Sequence, residues 1–133
     1  MAIKTFEELR ILQLGATITE ELFEITNSDL FKKDFSLKDQ LRRSLISITS
    51  NIAEGFERNN NKEFRRFLYF SKGSAGEARS QIYLTWKFRY IEENQYFDFK
   101  NKLIDLSKQI SRLYPILIVI NLKKMISLNH NIE

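Results

Sequence analysis

Acid–base and metal chemistry would depend on the carboxylates and the single histidine of this 133-residue chain. A di-iron carboxylate bundle needs Glu-x-x-His pairs on inward helix faces, but the only histidine is His130, close to the C-terminus. Its isolation also argues against a Ser-His-Asp triad. Because the chain has no cysteine, a thiolate nucleophile, a cysteine-bound metal and a disulfide framework are excluded. We therefore predict no catalytic residue, metal site or cofactor, and an enzyme would have to use Glu54 or Glu77 with a metal.

A second group of residues is small or polar at positions where a bulky side chain is expected. The group is Asn51, Glu54, Gly55, Gly73, Ser74 and Glu77. Glycine inside a helix costs about 1 kcal/mol relative to alanine, so Gly73 and the nearby Gly76 predict the close approach of another helix. We expect Glu54 and Glu77 in a partly buried network held by Asn, Ser or Arg side chains. The favoured role is structural, and the alternative is ligand binding or catalysis.

Basic residues are concentrated in the middle of the chain. Residues 1–34 carry four basic and seven acidic side chains, a net charge of −3, whereas residues 35–91 carry eleven and five, a net charge of +6. The candidate phosphate-binding residues are Arg42, Arg43, Arg58, Lys62, Arg65 and Arg66. They predict salt-sensitive, sequence-independent binding of RNA or DNA. The alternative is a solvated face, or ion pairs with the first-helix residues Glu7, Glu8, Glu20 and Glu21.

Four amphipathic helices are predicted to position these residues, because apolar side chains recur every three or four residues and the chain has one proline and four glycines. The first helix covers residues 6–26. Ser36, with Asp39 three residues later, is expected to cap the second helix. Gly55 and the asparagines at 59–61 are expected to end it.

The third predicted helix, residues 62–91, has two apolar stripes. One contains Phe64, Phe67, Leu68, Ala75, Ala78, Ile82 and Trp86, and the other contains Phe70, Leu84, Phe88 and Ile91. A peripheral helix of a small bundle needs one such stripe, so the second predicts burial against something outside the chain. The alternative is a third helix placed centrally in its own bundle.

A heptad seam from Tyr96 to Ile120 predicts the fourth helix, with a kink at Pro115 favoured over a stop at Tyr114. Four helices with short connections indicate an all-α, antiparallel up-and-down bundle. It is expected to occupy residues 1–126, followed by a polar tail at 127–133. The longest aliphatic run, residues 116–120, is far shorter than the roughly 20 residues of a membrane span. Together with the lack of cysteine, this predicts a cytoplasmic protein with no membrane partner.

Five short motifs occur along the chain. They are Phe6-Glu7-Glu8-Leu9, Gln40-Leu41-Arg42-Arg43-Ser44, Ser50-Asn51-Ile52-Ala53-Glu54-Gly55-Phe56, Glu63-Phe64-x-Arg66-Phe67-Leu68 and Gly73-Ser74-x-x-Glu77. These motifs resemble those of one bacterial family, the S23 or 23S rRNA intervening-sequence proteins. They occur in the order and spacing of the family over about residues 6 to 124. Two positions depart from the family pattern, since Thr49 stands where proline is usual and Pro115 where it is not.

The resemblance implies an antiparallel four-helix bundle that assembles as a ring-like homopentamer, and it does not imply an enzymatic activity. Relatives include the accessory proteins of diversity-generating retroelements, which are similar basic pentamers that bind nucleic acid and a reverse transcriptase. The expected function is therefore that of a non-enzymatic oligomer with a nucleic-acid-binding or scaffolding role. Its expected partners are other copies of itself, RNA or DNA, and a reverse transcriptase or other protein. The alternative is an adaptor that binds proteins without nucleic acid.

Overall fold

The structure is a computed structural model that describes residues 3–119. Over this range the chain forms a 3-10 turn at Phe6–Glu8 and five helices, namely α1 (Arg10–Thr26), α2 (Phe35–Glu57), α3 (Asn61–Lys87), α4 (Glu93–Ser111) and α5 (Tyr114–Val119). No strand occurs among these residues. The predicted all-α class with four long helices is confirmed. The polar tail with His130 lies outside the described residues, so the domain boundary at residue 126 stays a prediction.

The four long helices pack side by side in chain order, and α4 returns to contact α1. Neighbouring helices run antiparallel. Ser44 of α2 contacts Glu77 of α3, whereas Gly55, further along α2, faces Phe67, which comes earlier in α3. In the pairs α1–α2, α3–α4 and α1–α4, residues near the end of one helix likewise contact residues near the start of the other, so these helices also run antiparallel. The up-and-down order expected from the short connections is therefore present.

Apolar side chains at helical spacing form the core. On α2, Leu41, Leu45, Ile48 and Ile52 are all fully buried, and they are three or four residues apart. The predicted seam of α4 is confirmed by the burial of Tyr96, Phe99, Leu103, Leu106 and Ile110. Burial of one Leu or Ile side chain contributes about 1.5–3 kcal/mol, so these rows hold the helices in their positions.

Helix α2 begins with an aspartate cap. Asp34 Oδ1 accepts a hydrogen bond from the Leu37 backbone N–H at 3.1 Å, and its other carboxylate oxygen accepts one from the Tyr90 hydroxyl at 3.0 Å. The predicted cap at Ser36 is wrong, because Ser36 already lies within the first turn. An aspartate both satisfies a free N–H and places negative charge at the positive end of the helix dipole. The hydrogen bond to Asp34 also raises the pKa of Tyr90.

Asparagines make the turn between α2 and α3, as predicted. Asn59 adopts a positive φ of 51°, and the Asn60 side chain caps α3 by accepting from the Glu63 backbone N–H at 3.0 Å. Gly55, however, does not end α2. It lies buried inside the last turn, where a β-carbon would come within 2.7 Å of Phe67 Cβ. Gly55 therefore allows α2 and α3 to approach closely. Its position near the end of the apolar pattern had instead predicted a helix end.

Two helices are shorter than their apolar patterns predict. The first begins at Arg10, because Leu9 is extended and buried and separates it from the 3-10 turn. Helix α3 ends at Lys87, and Arg89 turns the chain with a φ of 66°. This turn carries Ile91 into the core, where it is 7% exposed. Placing Ile91 on the second stripe of the third helix was therefore wrong.

Pro115 separates α4 from α5. Helix α4 ends at Ser111, and Pro115 lies in the first turn of α5. The predicted kink within a continuous helix is wrong, since the helix stops and a short one begins. Proline lacks the N–H that would bond to the Ser111 carbonyl, and its ring crowds that oxygen, whereas the first turn of a helix tolerates it. The remainder of the predicted fourth helix lies outside the described residues.

Candidate functional site

The six predicted phosphate-binding residues lie in two separate places. Arg42 and Arg43 are in the first half of α2, whereas Arg58 follows its last residue. At 1.5 Å per residue, the 16 positions from Arg42 to Arg58 span about 24 Å. Lys62, Arg65 and Arg66 belong to the first turns of α3, beside Arg58. The fold therefore makes two small groups of cations and not one continuous patch.

Arg42 is engaged by the end of α1. Its Nε donates to Thr26 Oγ1 at 2.9 Å, and one terminal nitrogen donates to Asn27 Oδ1 at 3.1 Å. The guanidinium also lies 4.4 Å from the centre of the Phe23 ring. A cation is favourable at the C-terminal end of a helix, where carbonyl groups lack partners. This geometry gives Arg42 a structural function in joining α2 to α1.

Carboxylates of the same helices pair with most of the other cations. Arg43 lies 2.8 Å from Asp39, which raises the pKa of the arginine. Arg58 pairs with Glu54 at 3.0 Å, and Glu63 lies 3.9 Å from Arg58 and 3.6 Å from Arg66. Such exposed pairs are worth little in stability, but they reduce the positive potential. Among residues 3–119, the two predicted cations without an ion pair or hydrogen bond are Lys62 and Arg65.

Acidic residues of α1 do not neutralise these cations in the way the alternative interpretation expected. Glu21 pairs with Lys102 of α4 at 3.0 Å, and Asp98 completes that group. Hydrogen bonds to both carboxylates raise the pKa of Lys102. Glu8 accepts from the backbone N–H groups of Lys4 and Thr5. Helix α1 therefore forms its interhelical ion pair with α4. It lies diagonally across the bundle from α3.

The predicted polar network is divided into separate local contacts. Asn51 donates to the Ser47 carbonyl of its own helix at 2.8 Å, and Glu54 pairs with Arg58. On α3, Glu77 accepts from the Ser44 hydroxyl at 3.4 Å. Both carboxylates are exposed, and each is held by a different neighbour. Glu54 and Glu77 thus do not form one paired site.

Gly73 and Gly76 differ from Gly55 in their surroundings. Both are exposed, and a β-carbon added at either would meet no atom within 4 Å. The predicted close approach of another helix is therefore absent at these positions within the described chain. It occurs instead at Gly55, and at Gly15, where a β-carbon would lie 3.1 Å from Thr49 Cγ2.

The second apolar stripe of α3 faces outward. Phe70, Leu84 and Phe88 are 45%, 40% and 52% exposed. Gly73 and Glu77 lie between them at helical spacing, and we call these five residues the outer α3 stripe. The prediction that this stripe is not buried within the chain is confirmed for Phe70, Leu84 and Phe88. The alternative of a centrally buried third helix is wrong.

The sequence patterns did not predict an aromatic surface where the end of α3 meets the start of α4. It consists of Tyr83, Trp86, Tyr96 and Phe97, which we call the α3–α4 platform. The Trp86 and Tyr96 rings stack with centres 4.6 Å apart, and Phe97 lies 5.9 Å from Trp86. The apolar pattern placed Trp86 and Tyr96 in the core, which is correct for Tyr96, whereas Trp86 is only partly buried. Lysines beside the aromatic residues, at 87 and 100, are the signal that could have indicated a surface function.

Residues 3–119 contain neither a metal-binding cluster nor a membrane-spanning helix. No group of three or more potential ligands from His, Cys, Asp and Glu is placed to hold a metal ion in this part of the chain. Within the same residues, no helix combines the length and apolar character that crossing a bilayer requires.

Comparison with known proteins agrees with this fold. The model of the 23S rRNA-intervening sequence protein family matches residues 7–112, so the chain belongs to that family. Among solved structures, the chain is similar to a protein of unknown function from the S23 ribosomal protein family of Bacteroides thetaiotaomicron. The two share 22% identity with a TM-score of 0.68, over 82% of this chain and 96% of the other. No curated protein matches the sequence.

Proposed function

We propose that this member of the 23S rRNA-intervening sequence protein family is a non-enzymatic subunit of a homopentamer that binds nucleic acid and acts as a scaffold. The observation that carries the proposal is the outer α3 stripe, which leaves three large apolar side chains exposed on one helix. The proposal includes no catalysis, because Glu54 and Glu77 are held separately and by different neighbours.

A second copy of the chain is the proposed occupant of the outer α3 stripe. The open space at Gly73 would admit a neighbouring helix between Phe70 and Leu84. Charge favours a neighbour of the same kind, because Glu20 and Glu24 on α1 have no ion pair within residues 3–119 and can face the net-positive part of the next copy, residues 35–91.

Since α1 and α3 lie diagonally across the bundle, a contact of one copy's α3 with the next copy's α1 is heterologous. Heterologous contacts close into a ring when the rotation permits. The number five comes from the family resemblance and forms part of the proposal.

Nucleic-acid binding would begin with Lys62 and Arg65, whose charges are free of carboxylates, with Arg66 beside them. One subunit offers a weak site, because residues 54–66 carry four basic and three acidic side chains. A ring would repeat this site in every subunit, and the potentials of several subunits would add. Assembly and nucleic-acid binding are therefore coupled in the proposal.

A binding titration with fluorescent RNA and DNA at two salt concentrations tests the nucleic-acid part. We expect the Arg65→Ala/Arg66→Ala variant to bind more weakly and to lower the slope of log affinity against log salt by about 2, one per lost phosphate contact. The Lys32→Ala/Lys33→Ala variant is the matched control, since it removes an adjacent basic pair from the α1–α2 connection. Absence of binding at low salt, or equal loss in both variants, would contradict the assignment.

Leucine substitutions test the assembly part. Leu84→Glu places a charge on the outer α3 stripe, and Leu30→Glu makes the same change at a leucine that is 66% exposed and off α3. We expect Leu84→Glu to reduce the molecular mass to that of one chain while the helical circular dichroism is kept, and Leu30→Glu to leave the mass unchanged. If both variants keep the wild-type mass, the stripe is not the contact.

Protein binding without nucleic acid is the second candidate function, and one observation favours it. Arg43, Arg58 and Arg66 are already paired with carboxylates, which leaves few free cations at the predicted positions. In that case the outer α3 stripe would bind a different protein. A monomer that binds no RNA or DNA at low salt and forms a stoichiometric complex with one protein would establish this function.

A further inference from the structure

The α3–α4 platform carries exposed aromatic rings together with cations. Tyr83 is 45% exposed and Phe97 is 41% exposed, while Trp86 is partly exposed between them. Tyr83 contacts both Trp86 and Tyr96 at ring-centre distances near 6 Å. The rings are therefore fixed against one another, so their side chains lose little conformational entropy when an aromatic ligand stacks on them.

Two lysines lie over these rings. Lys87 Nζ is 5.6 Å from the centre of Trp86 and 5.9 Å from that of Tyr83. Lys100 Nζ is 5.6 Å from Phe97 and 5.9 Å from Tyr96. Neither lysine has a carboxylate partner within residues 3–119. Each ammonium group is thus held beside an aromatic face and keeps its charge available.

Arg79 extends the positive charge along α3. It lies one turn before Tyr83, and its Nε is buried with no hydrogen-bond acceptor in the described part of the protein. Lys72 lies two turns earlier on the same helix face. From Lys72 to Lys87, the 15 positions span about 22 Å, which is long enough for several nucleotides of a single strand.

The acids near this face are fewer than its cations. Glu93 lies one turn before Phe97 on α4, whereas Asp98 points to the other side and pairs with Lys102. Glu77 belongs to the outer α3 stripe, on a different side of the helix, and accepts from Ser44 of α2. The face of Lys72, Arg79, Lys87 and Lys100 therefore keeps a net positive charge.

We infer that the α3–α4 platform binds single-stranded nucleic acid, with bases stacked on Tyr83, Trp86 and Phe97 and phosphates on Arg79, Lys87 and Lys100. Aromatic faces accept any base without reading its edges, and basic residues beside them follow the backbone. A duplex hides its base faces, so the platform selects single strands. The inference rests on the proposed nucleic-acid-binding function and assigns it a surface that is separate from Lys62 and Arg65.

Trp86 is the only tryptophan of the chain and reports on the platform directly. The probes are a thymidine 12-mer and a duplex of the same length, titrated at low salt with the full chain. We expect the single strand to quench Trp86 fluorescence and to bind more tightly than the duplex. Phe97→Leu keeps an apolar side chain but removes one stacking face, and we expect it to weaken single-strand binding at least about fivefold.

Phe35→Leu is the matched control, because Phe35 is 78% exposed at the start of α2 and belongs to neither the platform nor the outer α3 stripe. It should leave the single-strand affinity unchanged. Equal binding of both probes without quenching would overturn the platform and leave the proposed function standing, whereas no binding of either probe would overturn both. If Trp86 becomes shielded from acrylamide as the protein concentration rises without nucleic acid, a second copy covers the platform and the inference fails.

Discussion

The close contact of α2 with α3 at Gly55 leads to a quantitative prediction. A β-carbon at Gly55 would lie 2.7 Å from Phe67 Cβ and 3.1 Å from Phe64 Cδ1. Phe67 Cβ is attached directly to the backbone of α3, so no side-chain rotation can move it away. Relief therefore requires the two helices to separate, and overpacking of this kind costs about 1–3 kcal/mol.

Helix propensity acts in the opposite direction, because alanine is favoured over glycine by about 1 kcal/mol inside a helix. Gly55→Ala is then expected to destabilise the protein by up to about 2 kcal/mol. Gly76→Ala is the matched control, since its β-carbon meets no atom within 4 Å. The control should gain about 1 kcal/mol.

Urea unfolding followed by circular dichroism measures both changes. The free energies of unfolding of the two variants should differ by about 1–3 kcal/mol, because the propensity gain is common to both and the steric cost belongs to Gly55 alone. A Gly55→Ala protein as stable as Gly76→Ala would refute the close approach of α2 and α3.

Three further substitutions test other contacts of the fold. Asp34→Ala removes both the cap of α2 and the acceptor for Tyr90, and it should cost about 1–2 kcal/mol in thermal or urea unfolding, whereas Ser36→Ala should be nearly neutral. Equal effects would contradict the assignment of the cap. Arg42→Ala should destabilise by about 1–3 kcal/mol through loss of its bonds to Thr26 and Asn27, while Arg43→Ala, on an exposed pair, should change stability by less than about 0.5 kcal/mol. A neutral Arg42→Ala would show that the guanidinium does not join α1 to α2. Tyr114→Phe tests the pH dependence, because burial raises the pKa of Tyr114 from 10.0 to about 12 and its hydroxyl has no partner within residues 3–119. A group with a raised folded-state pKa stabilises the fold below its unfolded pKa and loses that contribution as pH rises through the folded value, so the wild type should lose more stability than Tyr114→Phe between pH 10 and 12. Parallel stability curves for the two proteins would contradict the burial of this hydroxyl.

The periodicity of apolar residues predicted the helices and the core, because burial along one face leaves a regular spacing in the sequence. Rows such as Leu41, Leu45 and Ile48 could be assigned in this way. Helix ends were less predictable. Asp34 competes with Ser36 for the same role, and its partner Tyr90 is 56 residues away in the sequence.

The candidate site was harder to predict, since charge counts do not reveal which cations have partners. Arg42 belongs to the predicted basic group, yet it binds the end of α1. The α3–α4 platform depends on side chains from two helices, and Trp86 and Tyr96 both fit the core pattern. The partial exposure of Trp86 beside Tyr83 and Phe97, and the positions of the two lysines, follow only from the packing of α3 against α4.

The molecular mass of the wild-type chain in solution tests the central claim most directly. Light scattering coupled to size exclusion, at micromolar concentration, should give about five times the 15.9 kDa of one chain if a neighbouring copy covers the outer α3 stripe as we propose. A single species of 15.9 kDa under these conditions would contradict the account, since the exposed stripe would then have no copy of the chain bound to it.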